Sequence, residues 1–206
     1  MKLYGFGNSR SFRIIWMFKE LGVDFDYVQL DPRKGDLEQE SFLSLNPAGK
    51  VPVMVDENLV LTESAAIITY LGDKYPQAGL VPKCGSNNRA RYNQWCFFAL
   101  TELEQPLWSI AKHQFALPEK YRIAAIYKTA IYEFRQVLNI LAQGLNNSTW
   151  ILGEQFTAAD ILIGHSLHWA QENNIKLKNN KLEQYYDRLS QREGFIQAIK
   201  FSHQKT

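Results

Sequence analysis

The chain has 206 residues, of which 46% are hydrophobic and 21% are charged. This composition supports a buried core and excludes a disordered chain, and the length allows one large domain or two of about 100 residues. The 23 Lys and Arg residues and 21 Asp and Glu residues give a formal net charge of +2. Because this charge is small, we expect neither nucleic acid nor a membrane as a partner.

The sequence lacks the patterns that direct a chain into or across a membrane. No apolar run reaches the roughly 20 residues that span a bilayer. Glycine and polar residues at positions 5–9 interrupt the apolar stretch that a signal peptide needs. The two cysteines, Cys84 and Cys96, are too few for a disulfide framework or a zinc motif. We therefore expect a cytoplasmic protein.

Residues 1–78 alternate between strand and helix patterns. Strands are predicted at residues 2–6, 25–30, 51–55 and 59–61, and helices at residues 11–21 and 64–75. Gly22 and Pro76 end the two helices. Because a helix joins the first two strands, these should run parallel, whereas the last two should form an antiparallel hairpin.

Residues 79–88 are rich in Gly, Pro, Ser and Asn, which predicts a linker between two domains. Strand signals fade after it, and residues 89–206 predict an all-helical domain. Its helices are predicted at residues 89–113, 118–145, 157–173 and 181–201. Pro106 lies inside the first of these helices and should kink or end it.

The loop before the first helix contains two serines, Ser9 and Ser11. Either hydroxyl would cap the helix, and either would equally donate to an anion, assisted by the positive end of the helix. Arg10 and Arg13 follow in the same stretch. Either arginine would contact a ligand carboxylate or simply remain solvated. A serine hydrolase is disfavoured because no Ser-His-Asp arrangement can be assembled.

Two further segments contain groups that are suited to binding a peptide-like ligand. Pro52 stands at the mouth of a strand, where a trans bond is the ordinary expectation. A cis bond would instead turn the N–H and C=O of Val51 toward an extended peptide ligand. Ser64 follows a strand and begins a helix, so it either caps that helix or donates to a carboxylate. Glu63 beside it would accept an ammonium group, and the pair would suit an α-amino acid terminus.

These segments together resemble the cytosolic glutathione transferase family, and look most like its serine-type, theta-like bacterial members. The resemblance rests on the serine in the first loop, on the segment NPAGKVP at 46–52 and on the segment LTESAAI at 61–67. It covers the whole chain. It implies a thioredoxin-like α/β domain at residues 1–78, a linker at 79–88 and an all-α domain at 89–206. It also implies a homodimer that uses glutathione as co-substrate.

The resemblance implies that five residues bind glutathione: Lys50, Val51, Pro52, Glu63 and Ser64. The main chain of Val51, ahead of a cis Pro52, would pair with the cysteinyl unit. Glu63 and Ser64 would hold the γ-glutamyl end, and Lys50 would contact the glycine end.

Ser9 matches the family's thiolate-stabilising serine by its distance from Arg13, and Ser11 is the alternative. A free thiol is only slightly ionised at neutral pH, and the thiolate is the nucleophile. Lowering its pKa by two units requires about 2.7 kcal/mol. One hydroxyl hydrogen bond to a charged group supplies about 1.5–3 kcal/mol, so a serine at a helix N-terminus would suffice.

The thiolate would attack a small apolar electrophile in an adjoining pocket. Four residues are candidates for lining this pocket: Arg10, Trp108, His113 and Phe115. Core packing explains Trp108, His113 and Phe115 at least as well. Transfer to an electrophile is therefore the predicted activity. A glutathione-dependent peroxide or disulfide reductase and a non-catalytic scaffold are the alternatives.

Phe156, Thr157, Asp160 and Ile161 resemble the family's capping box and hydrophobic staple. Their role should be in folding, and Asp160→Ala should cost on the order of 1–2 kcal/mol.

No metal is expected. His165, His168 and Glu172 share one helix face at ligand spacing, but packing accounts for them better. The first loop also lacks a cysteine, which disfavours mixed-disulfide chemistry on the enzyme.

Overall fold

The computed structural model describes residues 1–7 and 9–204. Contacts divide the chain into two compact units, Met1–Val81 together with the segment from Ser190, and Pro82–Leu189. The predicted second domain extends to residue 206, whereas residues from Ser190 onward group with the first unit. The division between the units falls after Val81, inside the predicted linker at 79–88.

The first unit contains one four-stranded sheet. Its strands are β1 (Lys2–Gly5), β2 (Asp26–Gln29), β3 (Val53–Asp56) and β4 (Leu59–Leu61), in the order β2-β1-β3-β4. β1 and β2 are parallel, with Leu3 opposite Tyr27, and β3 is antiparallel to both β1 and β4. The predicted strand directions are confirmed.

The helices of this unit are α1 (Ser11–Leu21), the short α2 (Glu40–Leu43), α3 (Ser64–Lys74) and α9 (Glu193–Gln204). α1 is buried along most of its length because other elements pack on several of its sides. Gly22 ends it in the left-handed conformation, φ 64°.

α9 docks on α1. Phe195 lies edge-on to the rings of Trp16 and Phe12, with centroid distances of 4.9 and 5.5 Å. Arg192 donates two hydrogen bonds to Glu20, at 2.8 and 2.7 Å. The prediction of a single helix at residues 181–201 is therefore wrong. The chain breaks between two helices there, and the second of them, α9, packs its apolar side against α1.

The second unit is helical. It contains α4 (Asn87–Phe98), α5 (Glu104–Ala111), α6 (Ile126–Leu145), α7 (Ala158–Glu172) and α8 (Asn180–Ser190). Wider π-helical turns at Ala99–Leu103 and Lys112–Ala116 flank α5. Pro106 lies in α5 just after the first π-helical turn, and the chain stays helical through the proline, so the predicted kink or end takes the form of a wider turn before it.

Residues 118–125 were predicted as helix, and this prediction is wrong. A short 3-10 turn, Glu119–Tyr121, occupies part of this stretch. The Arg122 guanidinium donates to the carbonyls of Leu117 and Phe115, at 2.7 and 2.9 Å. These bonds hold the segment as a loop, and α6 begins only at Ile126.

The start of α7 is a capping box. The buried Asp160 carboxylate accepts from the N–H and hydroxyl of Thr157, at 2.8 and 3.0 Å. It also accepts from the N–H of Ile151 at 2.9 Å and from the Tyr185 hydroxyl at 2.6 Å. Phe156 and Ile161 on either side of the cap are both buried. Asp160 therefore ties three parts of the helical unit together.

Within the described ranges, no helix is long and apolar enough to cross a membrane.

Candidate functional site

The two serines of the first loop lie in different environments. The half-buried Ser9 hydroxyl donates to the carbonyl of Phe6 at 2.6 Å and accepts from the N–H of Ser11 at 3.2 Å. Ser11 is fully buried, and a Cβ placed on Gly5 would lie 2.4 Å from its Oγ. Ser11 therefore packs against β1, whereas Ser9 stays at the partly open start of α1. The intervening Asn8 lies outside the described residues.

The Val51–Pro52 peptide bond is cis, as the resemblance implies. Pro52 is buried and Val51 half-buried. Among the described residues, the N–H and C=O of Val51 have no hydrogen-bond partner. The main chain of Val51 is therefore available to a ligand.

Asn46 holds the loop that leads to β3, a role that was not predicted from the sequence. Its buried side chain donates to the carbonyl of Lys50 at 2.7 Å and accepts from the N–H of Ala48 at 3.1 Å. Gly49 adopts φ 60° beside it. An Asn-Pro pair before a glycine is a turn signal from which such a role could have been inferred. Lys50 itself is exposed.

Ser64 is the first residue of α3, and Glu63 occupies the N-cap position without a capping hydrogen bond. The structural alternative for Ser64, a helix N-cap, is therefore wrong. Its Oγ accepts a hydrogen bond from Nη1 of Arg13 at 2.9 Å. Ser64 is only 4% exposed, whereas Glu63 is exposed and has φ 65°, in the left-handed region that non-glycine residues rarely adopt.

The buried position of Arg13 was not predicted from the sequence. The alternative that its side chain is solvated is wrong. It is fully buried inside α1. Burial holds the pKa of its guanidinium well below the usual value, the nearby charge of Arg10 lowers it further, and Glu63 opposes both effects. A single arginine within the apolar run of α1 was the signal that a buried polar partner exists.

The site therefore combines a buried guanidinium, a second arginine and an exposed carboxylate at the N-terminal ends of two helices. The pKa of Arg10 is likewise lowered by burial and raised by Glu63. Helix N-termini and guanidinium groups favour a bound carboxylate, and Glu63 favours an ammonium group. This arrangement suits a zwitterionic amino acid end.

The remaining predicted pocket residues lie in the helical unit. Trp108 is half-buried on α5, and Phe115 is 66% exposed in the following π-helical turn. His113 Nδ1 accepts a hydrogen bond from the N–H of Ile123 at 3.0 Å. His113 therefore helps to hold the loop after α5.

The cysteine and histidine candidates lie elsewhere. Burial raises the pKa of the Cys96 thiol to about 12, and Cys84 is a free, exposed thiol. His168 Nδ1 lies 2.8 Å from the Tyr186 hydroxyl, and its Nε2 lies 3.6 Å from Glu172. Across the part of the chain that the structure describes, no group of three or more side chains is arranged to hold a metal ion.

Comparisons with known proteins define the family. The profile "Glutathione S-transferase, N-terminal domain" matches residues 1–73, and the profile "Glutathione S-transferase, C-terminal domain" matches residues 105–193. The chain therefore belongs to the glutathione transferase family. Its α/β unit is the predicted thioredoxin-like domain, and its helical unit is the predicted all-α domain.

The relatives are bacterial and plant proteins. Glutathione S-transferase GstA of Escherichia coli O157:H7 is 28% identical over 184 residues, which cover 88% of each chain. Glutathione S-transferase 3 of Zea mays is 30% identical over 174 residues, 78% of this chain and 73% of that protein. Neither match singles out the serine-type, theta-like subclass.

Two solved structures show the same fold. The bacterial transferase BphK, in a ternary complex, has a TM-score of 0.87 and 28% identity, and the match covers 98% of this chain and 100% of that chain. A sphingomonad glutathione S-transferase complexed with glutathione has a TM-score of 0.85 and 27% identity, covering 98% and 99% of the two chains.

Proposed function

We propose that this protein binds glutathione on its α/β unit, at the N-terminal ends of α1 and α3, and transfers it to a small apolar electrophile. Family membership supports the transferase activity. The observation that carries the assignment of the site is the Arg13–Ser64 hydrogen bond at the first residue of α3.

The γ-glutamyl end of glutathione would bind at Ser64 and Glu63. A guanidinium is only a donor, so the Arg13 contact uses a lone pair of the Ser64 hydroxyl and leaves its hydrogen to donate to a carboxylate. The first N–H groups of α3 add donors to the same carboxylate. The exposed Glu63 accepts the neighbouring ammonium group.

The cysteinyl and glycine units of the tripeptide would bind beside the residues that precede β3. The unpaired N–H and C=O of Val51 bind the cysteinyl unit in the manner of an added strand. Lys50 is exposed beside it and pairs with the glycine carboxylate. Every part of glutathione thus has a partner of matching chemistry.

Ser9 would stabilise the thiolate. Its hydroxyl hydrogen points to the Phe6 carbonyl, and a rotation about the Cβ–Oγ bond redirects it to a sulfur. Ser11 is the weaker candidate because its hydroxyl is buried against Gly5. The thiolate sulfur then forms a bond to the electrophilic carbon, and the leaving group departs with the bonding pair.

Arg10, Trp108, His113 and Phe115 are the candidates for contacts with the electrophile. Operation as a cytoplasmic homodimer, as implied by the resemblance, belongs to the same proposal.

The test is calorimetric titration with glutathione in two buffers of different ionisation enthalpy. We expect binding with release of a proton as the thiolate forms, and Ser64→Ala should weaken binding about tenfold or more, because a hydrogen bond to a charged group is lost. Ser41→Ala, which changes an exposed serine of the same unit, is the matched control. No binding at millimolar glutathione would overturn the proposal and favour a scaffold.

A further inference from the structure

The helical unit carries a groove that the proposed function does not use. Two adjoining cavities of about 310 and 580 Å³ lie between the end of α6, the loop after it and the start of α8. They share Asn146 and Lys181, so they form one continuous groove. Its size is that of sites for small organic molecules.

The lining of this groove is rich in side-chain amides. Six of them line it: Asn139, Gln143, Asn146, Asn147, Asn179 and Gln184. Two cations, Lys181 and Arg188, lie among them, and no carboxylate belongs to the lining in the described part of the chain. We call these eight residues the amide groove.

The cations are arranged along one face of α8. Lys181, Gln184 and Arg188 follow each other at spacings of three and four residues, which places them on the same side of the helix. Arg188 donates to the carbonyl of Thr149 at 3.2 Å and lies over the ring of Tyr185. Its guanidinium is therefore held in place before a ligand arrives, which lowers the entropic cost of binding.

The opposite wall is also ordered. The N–H of Asn146 donates to the carbonyl of Gln143 at 3.1 Å, and the N–H of Ser148 to that of Leu145 at 3.0 Å. Asn179 Oδ1 accepts from the N–H groups of Lys181 and Leu182, and its amide NH₂ has no hydrogen bond among the described residues. The backbone of both walls is therefore held by hydrogen bonds, and the exposed amide side chains project from it.

Most of these polar groups have no partner inside the protein. Among residues 1–7 and 9–204, the side chains of Asn139, Gln143, Asn147, Lys181 and Gln184 form no hydrogen bond. Each amide offers both a donor and an acceptor, which is what a sugar hydroxyl requires. The nearby Glu154 carboxylate accepts from the hydroxyl and N–H of Thr149, and its charge also interacts with Arg188. Lys181 is therefore the cation left for the ligand without a carboxylate partner among the residues that the structure describes.

We propose that the amide groove binds an anionic sugar, with its hydroxyl groups on the amides and its phosphate or carboxylate between Lys181 and Arg188. The amides match a hydroxyl-rich ligand, and the two cations match one negative group. An apolar ligand does not fit, because Ala142 is the sole apolar residue among the described residues that line the two cavities. None of these residues belongs to the candidate glutathione site, so the two proposals are tested separately.

The test is titration of the full-length ¹⁵N-labelled protein, followed by NMR, with glucose 6-phosphate, glucuronate, glucose and inorganic phosphate. Glucose 6-phosphate or glucuronate should shift the side-chain amide signals of the groove, and whichever binds more tightly identifies the anionic group. Glucose and inorganic phosphate should each bind about tenfold or more weakly, since each lacks half of the contacts.

The variant Lys181→Gln should weaken binding about tenfold, from loss of a charge-assisted hydrogen bond. Lys178→Gln is the matched control, because Lys178 is an exposed lysine just before α8 that does not line the groove. Equal weakening by both variants would indicate unspecific attraction and overturn the proposal. Inorganic phosphate binding as tightly as glucose 6-phosphate, or no shift of the groove amides with any probe, would overturn it too.

Discussion

Replacing Asp160 by alanine should destabilise the helical unit far more than loss of an ordinary helix cap. The carboxylate is 0% exposed and accepts hydrogen bonds from Thr157, Ile151 and Tyr185. Alanine would leave the N–H groups of Thr157 and Ile151 and the hydroxyls of Thr157 and Tyr185 buried without this acceptor. Each unsatisfied donor costs about 1–3 kcal/mol, so we expect a loss of about 3–5 kcal/mol.

This value exceeds the 1–2 kcal/mol expected from the capping box alone. The difference arises from Ile151 and Tyr185, which lie 9 and 25 residues from Asp160 and add two donors to the cap. Urea unfolding followed by circular dichroism measures the loss.

Two further variants separate the contributions. Asp160→Asn keeps one acceptor oxygen and should destabilise the protein about half as much as Asp160→Ala. Tyr185→Phe removes a donor but leaves no other donor unpaired, so it should destabilise the protein by about 1 kcal/mol. The double variant Asp160→Ala/Tyr185→Phe should cost less than the sum of the two single changes. A loss of about 2 kcal/mol or less for Asp160→Ala, or strict additivity, would refute the shared network.

The other predictions concern the thiolate and the response to acid. Ser9→Ala should lower kcat/KM for a glutathione-dependent conjugation about tenfold to a hundredfold and shift its pH profile to higher pH, because a hydrogen bond to the thiolate is lost. Ser11→Ala should leave the pH profile unchanged. The reverse result would assign stabilisation of the thiolate to Ser11 and not to Ser9. Hydrogen bonds from Lys74 and Tyr70 hold the pKa of Asp56 below its usual value. The stability that Asp56 contributes is therefore complete above about pH 4 and is lost as the pH falls toward its folded-state pKa, so Asp56→Asn should flatten the stability curve in that range. Equal slopes for both proteins in urea unfolding between about pH 3 and pH 6 would contradict this.

Local patterns in the sequence were enough to predict much of the first unit. The end of α1 at Gly22 depends on residues within one turn of each other, and the strand directions follow from the order of the predicted elements. In the helical unit, the cap of α7 at Thr157 is local in the same way. Physical preferences at this range, such as glycine in the left-handed region, act in the same way in any fold. The segments at 46–52 and 61–67, together with the serine in the first loop, carried the family resemblance.

Local patterns in the sequence failed to predict the secondary structure where side-chain contacts in the folded chain determine it. Residues 118–125 have helical spacing, yet the contacts of Arg122 and His113 hold them as a loop. The spacing of residues 181–201 predicts one helix, yet Arg192 pairs with Glu20, 172 positions earlier. In both cases the packing of the folded chain outweighs a weak helical preference.

The sequence by itself determined the order of the α/β and helical parts, because this order follows from periodicity and composition, and its short motifs carried the resemblance that implies the family and the segments of the candidate site. Only the tertiary structure decided that Arg13 is buried and supports Ser64 across 51 positions, and that Ser9 lies in the more open place. The amide groove likewise forms only when the end of α6 meets the start of α8. Hydrogen bonds and cavities between distant segments have no periodic trace in the chain, since they depend on how the helices and strands pack.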